Sequence, residues 1–258
     1  SRLWHRADEI GMPTLTIPHM VGGRFSVLSA VGMFPLALLG VRVSALSNGA
    51  RRAVKDGITN EESNSAQISA ALTHHFYKRG RTIRDTFVFN PELEALGKWE
   101  RQLISENLGK RYDLSGKEVR AGITPTVSVG STDLHSMAQL AIGGPHDKLS
   151  LFVHAPWSRD VRTPARSMFA GIVDHIASKP FNGLMDAMRL GTMAAYRKNS
   201  HPYVDMALER IDEKTLGYVM QYWMVEVMYL GALMHLNTFD QPAVDEYKEI
   251  TRRLLRHA

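Results

Sequence analysis

The stretch DTFVFNPELEALGKWERQLISENL, from Asp85 to Leu108, carries the pattern that decides the fold. A short run rich in β-forming residues, DTFVFN, ends at Asn90-Pro91, where asparagine can cap a helix and proline suits the first helical turn. A longer helical pattern follows and ends at Leu108. This alternation recurs along the chain and predicts βαβ units around a mainly parallel sheet, which is an α/β fold.

The recurrence involves β-rich runs and longer helical patterns in turn. The strand candidates are TLTIP near Thr14, DTFVFN near Thr86, TPTVSVG from Thr124, KLSLFVHAP from Lys148 and YVDMAL near Tyr203. The helical candidates span residues 62–79, 91–108, 133–142, 181–198, 213–236 and 242–255. The polar segment 157–167 contains Pro164 and has no clear period, so we expect a loop or insertion there.

The composition narrows the class of protein. The 258 residues are 44% hydrophobic and 22% charged, which is typical of a folded globular chain. The absence of cysteine excludes disulfides, iron–sulfur clusters and thiolate zinc sites, and it fits a reducing compartment such as the cytosol. Basic pairs such as Arg51-Arg52 are interleaved with acidic residues, so we expect a mixed charged surface and no nucleic-acid partner. Residues 27–39 are too few to span a bilayer, and we expect no membrane anchor.

The segment VGGRFSVLSAVG, from Val21 to Gly32, places two glycines and an arginine before an apolar run. We expect Ser26 to cap an apolar helix that packs inside a layered domain, Pro35 to kink or divide it, and Gly40 to end it. A cation at a helix start can stabilise a developing oxyanion. The alternative is a tight turn whose Arg24 forms a structural salt bridge, and this segment alone favours that alternative.

Three further segments carry candidate functional residues. RQLISENLGKRYD places Glu106 at a helix end, where the helix dipole disfavours a carboxylate. VSVGSTDLHSMAQL places His135 in the first helical turn after a strand, at the carboxyl end of the sheet. NTFDQPAVDEYKEI places Gln241 at a helix start and Lys248 two turns later. Taken singly, these residues are better explained as an exposed glutamate, a locally bonded histidine and a solvated helix lysine.

Together these segments resemble the signatures of the phosphoglucose isomerase family in its bacterial form. VGGRFSVLSAVGMFPLALLG and LNTFDQPAVDEYK resemble its two long signatures, and SENLGK and GSTDLHSMAQL resemble its glutamate and histidine segments in the right order. The likeness runs from about Pro18 to Lys248. It implies a three-layer αβα sandwich, the sugar isomerase domain. Residues 1–50 would then be the end of a first such domain with a connecting helix, and residues 51–258 the second domain with C-terminal helices.

The resemblance also implies a function. Members of the family interconvert glucose 6-phosphate and fructose 6-phosphate in glycolysis and gluconeogenesis, through ring opening and a cis-enediol intermediate. Glu106 would be the base, Arg24 would stabilise the enediolate, and His135 and Lys248 would open the sugar ring. The residues implied to bind the sugar are Gly22, Gly23, Arg24 and Gln241.

Partners and cofactors follow from the same likeness. Family members are about twice as long, and their serine- and threonine-rich phosphate loop lies in a first domain that this sequence does not contain. We therefore expect a sugar phosphate substrate, an N-terminal half as partner, a homodimer with active sites at its interface, and a cytoplasmic location. The scheme requires no cofactor and no metal, and the His74-His75 pair is interpreted as surface or packing. The competing hypothesis is a noncatalytic module that binds sugar phosphates or serves assembly.

Overall fold

The computed structural model describes residues 2–59, 61–159, 161–166, 171–172 and 175–256. Ten α-helices are described: α1 (Arg2–Glu9), α2 (Ala30–Leu38), α3 (Val43–Gly57), α4 (Ser65–Tyr77), α5 (Glu94–Leu108), α6 (Thr132–Ser136), α7 (Ala138–Gly143), α8 (Phe181–Lys198), α9 (Glu213–Leu233) and α10 (Pro242–Leu255). Six strands are described: β1 (Ile83–Val88), β2 (Lys110–Tyr112), β3 (Glu118–Ala121), β4 (Thr124–Val129), β5 (Lys148–His154) and β6 (Tyr203–Ala207). Two 3₁₀ turns, Gly23–Leu28 and Pro91–Leu93, precede α2 and α5.

Four strands form a parallel sheet in the order β4-β1-β5-β6. Phe87 in β1 lies opposite Ser128 in β4 and Phe152 in β5. Helices connect the successive strands of this sheet, as parallel pairing requires. The predicted α/β fold with a mainly parallel sheet is confirmed.

The two faces of the sheet bury different side chains. Val88, Leu151 and Val153 face a core shared with α5 and α9. The alternate positions Phe87 and Phe152 face a second core that includes residues of α7 and α8. The opposite directions follow from the two-residue period of a strand. Helices therefore cover both faces, and the predicted three-layer αβα arrangement is confirmed.

A buried ion cluster fixes α5 to the sheet. Arg84 of β1 donates from Nη1 to Glu226 of α9 at 2.8 Å, and its Nε lies 3.1 Å from a carboxylate oxygen of Glu100 in α5. Burial alone would lower the pKa of Arg84, but the two carboxylates raise it above its usual value. The guanidinium thus stays charged and links β1 to both α5 and α9.

Helix α3 packs on α9 through glycines that allow the two backbones to approach closely. A Cβ atom at Gly49 would lie 1.9 Å from the carbonyl oxygen of Lys214, and one at Gly217 would lie 2.0 Å from the carbonyl oxygen of Leu46. Both separations are far below van der Waals contact. The two helices can therefore adopt this spacing only with glycine at both positions.

Replacing Gly217 by alanine should force α3 and α9 apart. We expect the free energy of unfolding to fall by about 3 kcal/mol, measured by urea denaturation, because the clash is with backbone atoms that cannot rotate away. Gly191 in α8 is the matched control, since a Cβ there meets nothing within 4 Å. Its alanine variant should gain up to about 1 kcal/mol from helix propensity. Equal effects of the two substitutions would contradict the close-packing explanation.

Several predictions for the N-terminal segment are wrong. The run near Thr14 is not a strand: residues 12–18 have no ladder partner among the described residues, and they include Pro13 and Pro18. Ser26 does not cap a helix but donates its hydroxyl to the Gly23 carbonyl, and Ser29 is the N-cap of α2. Pro35 lies inside α2 and does not divide it, and the alternative, a kink at Pro35, stays a prediction.

The predicted burial of α2 is not found within the described residues, because none of its residues is buried and Phe34 is 54% exposed. The other described elements of the chain do not form a surface that buries the side chains of this helix. Gly40, at φ +81°, follows the C-cap residue Leu39 of α2, so the predicted helix end is confirmed.

Other elements differ from the sequence expectations in extent or were not predicted. The predicted helix 133–142 is split into α6 and α7. Helices α1 and α3 and the antiparallel β2–β3 hairpin were not predicted. The described part of segment 157–167 is irregular, as expected, and Asp160 and Ser167 lie outside the described residues. The predicted domain boundary after residue 50 falls inside α3, and the division into domains stays a prediction. No described helix has the length and apolarity that crossing a bilayer would require.

Candidate active site

Arg24 is buried, with 4% of its surface exposed, and its guanidinium is fixed by three groups. Its Nε donates to Oδ1 of Asn107, and its Nη2 donates to the carbonyl oxygens of Thr238 at 2.6 Å and Asp240 at 3.2 Å. Burial lowers the pKa of Arg24, while the negative charges of Glu106 and Asp240 act in the opposite direction. A rigid cation therefore joins the Gly23–Leu28 turn to α5 and to the loop before α10.

Glu106 lies in the last turn of α5, and Gly109 is the C-cap residue, as the sequence predicts. Its Oε2 is 3.8 Å from Nη1 of Arg24, and its Oε1 accepts a hydrogen bond from Gln102 Nε2 at 3.0 Å. The side chain of Glu106 is 29% exposed, whereas that of Arg24 is 2% exposed. The pair thus places a carboxylate that solvent or a ligand can reach against a cation that is held below it.

A cleft of about 650 Å³ opens beside Glu106. The end of α5, the β2–β3 hairpin and the start of α10 form its walls. Its lining includes Glu106, Lys110, Tyr112, Asn237, Asp240, Gln241 and Val244. A larger cleft of about 780 Å³ lies between α4, α9 and β6, but neither Arg24 nor Glu106 lines it. We assign the candidate active site to the smaller cleft, because it contains the carboxylate beside the buried cation.

Gly22 and Gly23 do not adopt the left-handed backbone conformation that favours glycine. Gly22 is extended, with φ −70° and ψ 160°, which any residue can adopt, so conformational freedom is not required there. A Cβ at Gly23 would meet nothing within 4 Å, and one at Gly22 would approach only Nη1 of Arg24, at 3.9 Å. The glycines therefore leave space beside the guanidinium.

The structure places Gln241 and Lys248 on one element of the site. Gln241 is the N-cap residue of α10 and lines the cleft beside Glu106. Lys248 is half-buried two turns further along the same helix. Both positions agree with the predicted helix start.

His135 does not lie beside Glu106. Helix α6 follows β4 and holds the exposed His135 at the carboxyl edge of the sheet. Glu106 is at the amino edge, because Gly109 at the end of α5 packs against Gly122, just before β4 begins. The six residues of β4 separate the two edges by about 20 Å. Within one chain, therefore, Arg24 and Glu106 are brought together and His135 is not.

Residues that the sequence reasoning did not name complete the arrangement. They are Gln102, Asn107, Lys110, Thr238 and Asp240. All five lie in the quoted segments that carry Glu106 and Gln241. The signal that could have identified them is their closeness in sequence to these two residues. Among the described residues, no three histidine, aspartate or glutamate side chains converge in a group that could hold a metal ion.

The chain is similar to known proteins over nearly its full length. Residues 7–155 match the family model described as phosphoglucose isomerase. A glucose-6-phosphate isomerase of Rubrobacter xylanophilus is 37% identical over 95% of this chain and 55% of its own length. One from Methanocaldococcus jannaschii is 33% identical over 99% of this chain and 61% of its own length. The chain thus spans little more than half the length of these relatives.

Two solved structures share the fold. A hypothetical protein from Thermus thermophilus aligns with a TM-score of 0.90 and 32% identity, over 98% of this chain and 60% of its own. A glucose-6-phosphate isomerase from Chlamydia trachomatis aligns with a TM-score of 0.77 over 98% of this chain and 55% of its own, and at 17% identity it bears on the fold alone. Because the family model covers more than half of the sequence and the fold and ordered motifs agree with it, this chain belongs to the phosphoglucose isomerase family.

Proposed function

We propose that this chain supplies the proton-transfer site of an enzyme that interconverts glucose 6-phosphate and fructose 6-phosphate. The observation that carries the proposal is the Glu106 carboxylate, reachable from the cleft, 3.8 Å from the buried guanidinium of Arg24. Aldose–ketose isomerisation needs a base beside a fixed positive charge, and this pair provides both. The names of the relatives support the substrate class.

Glu106 is the proposed base. It takes the proton from C2 of the open-chain aldose to give a cis-enediolate. The hydroxyl proton then moves from O2 to O1, and Glu106 returns its proton to C1 to give the ketose. One carboxylate serves both steps because the two carbons are neighbours. Arg24 stabilises the negative charge that develops on the enediolate oxygen, and a guanidinium held by three acceptors does so without reorganising.

Ring opening precedes this step and needs a proton to move between the ring oxygen and the anomeric hydroxyl. We assign it to His135 and Lys248, and we assign contacts with sugar hydroxyls to Gln241 and to the open space beside Gly22 and Gly23. The position of His135 at the opposite edge of the sheet supports a site shared between two subunits, in which His135 serves the Glu106 of its partner. A homodimer follows from this assignment.

The proposed enzyme requires an N-terminal half that this chain lacks. The length of the relatives supports this, and the half would carry the phosphate-binding loop and cover the exposed residues of α2. Residues 1–50 are then the end of a first sugar isomerase domain and residues 51–258 the second. We further propose a cytoplasmic role in glycolysis and gluconeogenesis. The competing function is a noncatalytic module that binds sugar phosphates or serves assembly.

A coupled assay of the isomerisation tests the proposal. The assembled enzyme is defined as this chain together with the N-terminal half of the Rubrobacter xylanophilus relative. We expect turnover of fructose 6-phosphate by the assembled enzyme and little or none by this chain alone, because phosphate binding orients the reacting carbons. Full activity of this chain alone would refute the need for a second half. Inactivity of both preparations would favour the noncatalytic module.

Mixing two inactive variants tests the shared site. His135→Ala and Glu106→Gln subunits of the assembled enzyme should each be inactive as homodimers, and their heterodimer should recover one intact site. Activity is measured after the mixed dimer has been identified by mass. A mixed dimer without recovered activity would show that His135 and Glu106 act in the same subunit.

A further inference from the structure

Lys110 is a buried lysine at the first position of β2, and Gly109, the C-cap residue of α5, precedes it. Only 7% of its surface is exposed. Its ammonium group donates to the carbonyl oxygens of Glu106, at 3.0 Å, and of Asp240, and it lies 3.0 Å from the carboxylate of Asp240. Lys110 therefore joins the helix turn that carries Glu106 to the loop that precedes α10.

The contact with Glu106 is made at a place where the helix leaves groups unpaired. The last carbonyls of an α-helix have no intrahelical donor, and the helix dipole is negative there. The Lys110 ammonium satisfies one of these carbonyls with a positive charge. This fixes the backbone of Glu106 at the point where its side chain enters the cleft.

The same lysine acts together with Arg24. Both cations donate to the carbonyl oxygen of Asp240, Lys110 from Nζ and Arg24 from Nη2. Burial lowers the pKa of Lys110, and the hydrogen bond and charge of Asp240 oppose that effect. A buried ammonium is retained at such a position only when its donors are matched, as they are here. Asp240 therefore links the last turn of α5, which carries Glu106, to the guanidinium of Arg24.

We infer that Lys110 is a positioning residue that sets the placement of Glu106 relative to Arg24 by tying the last turn of α5 to Asp240. Its consequence for turnover rests on the proposed function. Its consequence for local structure does not, so the two can be tested separately.

Because the chain contains no cysteine, a cysteine introduced at position 110 is the only thiol that can be modified. The ammonium can therefore be removed and restored at this one position. Lys110→Cys removes it, and aminoethylation of the thiol in urea, followed by refolding, restores an ammonium at nearly the same reach. Lys110→Met serves as a second variant without the charge. Lys117→Met, at an exposed lysine of the same hairpin, is the matched control.

Amide hydrogen exchange of this chain gives the first readout. We expect Lys110→Cys and Lys110→Met to exchange about 10-fold faster in the last turn of α5 and in residues 237–241, with β1 and β5 unchanged, and aminoethylation to restore protection. If Lys110 only stabilised the fold, its replacement would lower the protection of backbone amides throughout the sheet. Unchanged exchange at the end of α5, or a uniform loss, would overturn the inference.

Kinetics of the assembled enzyme give the second readout. We expect kcat to fall about 10- to 100-fold without the ammonium, with KM nearly unchanged, because a small misplacement of the base affects the chemical step. An unchanged kcat in an active enzyme would overturn the inference. If the unmodified assembled enzyme shows no turnover, the proposed function fails, and the exchange pattern decides on Lys110.

Discussion

Replacing Glu106 by glutamine should remove turnover while leaving sugar-phosphate binding largely intact. Glutamine keeps the shape of the side chain and its reach into the cleft, but it cannot accept the proton from the sugar carbon. We expect kcat of the assembled enzyme to fall by about 10³-fold, in the middle of the range for general base catalysis. The change is measured in the coupled assay, with binding followed separately by calorimetry.

Glu94 provides the control for this substitution. It lies in the first turn of the same helix, where it pairs with Lys98 at the surface. Glu94→Gln should leave kcat within about 2-fold, since exposed pairs of this kind contribute little. Near-normal turnover in Glu106→Gln would show that the proton is transferred by another group.

Removing the Arg24 cation should have the second largest effect. We expect Arg24→Met to lower kcat by about 10²- to 10³-fold, because the developing enediolate would lose its fixed positive charge. Arg24→Lys should recover only part of the rate, since one ammonium cannot reach Asn107, Thr238 and Asp240 together as the guanidinium does. Steady-state kinetics of the assembled enzyme measures both variants.

The Arg24 variants also leave buried acceptors unpaired, so their folding must be checked by circular dichroism and urea denaturation. Arg101, an exposed arginine on α5, is the control for the loss of an arginine charge, and Arg101→Gln should change kcat little. A folded Arg24→Met enzyme with normal kcat would contradict the proposed stabilisation of the enediolate.

The sequence predicts the parallel sheet well because its strands are short apolar runs separated by strongly periodic helices. The bounds of α8 and α10 agree with the predicted ranges 181–198 and 242–255, and α10 begins at Pro242, as its proline indicates. The run near Thr14 has the composition of a strand, yet a strand forms only beside a partner. Composition alone could not reveal that the described chain offers none.

Helix α3, in contrast, was not predicted and does form. Its sequence, VSALSNGARRAVKDG, contains glycine, serine and asparagine, which are weak helix formers, and its buried face is made of small residues such as Ala50 and Ala53. The helix is stabilised by close packing on α9, where Gly49 and Gly217 face the partner backbone. The buried positions of α3 recur at helical spacing, but small residues occupy most of them, so the helix was not predicted from the sequence.

The candidate site was predictable as a set of residues but not as a geometry. The motifs identify Arg24, Glu106 and Gln241, and the structure places all three around one cleft or directly beneath it. The hydrogen bonds of Arg24 to Thr238 and Asp240 join residues more than 200 positions apart, which spacing cannot predict. The same holds for the position of His135 at the other edge of the sheet.

The central claim is that Glu106 takes a proton from the sugar carbon beside the Arg24 cation, and proton exchange measures this directly. Glucose 6-phosphate is incubated in D₂O with the assembled enzyme, and the C2 proton is followed by ¹H NMR. We predict that the C2 signal is lost as the enediol forms and exchanges with solvent, and that it persists with Glu106→Gln even when that variant is saturated with substrate. Loss of the C2 signal at the same rate in both enzymes would contradict the account.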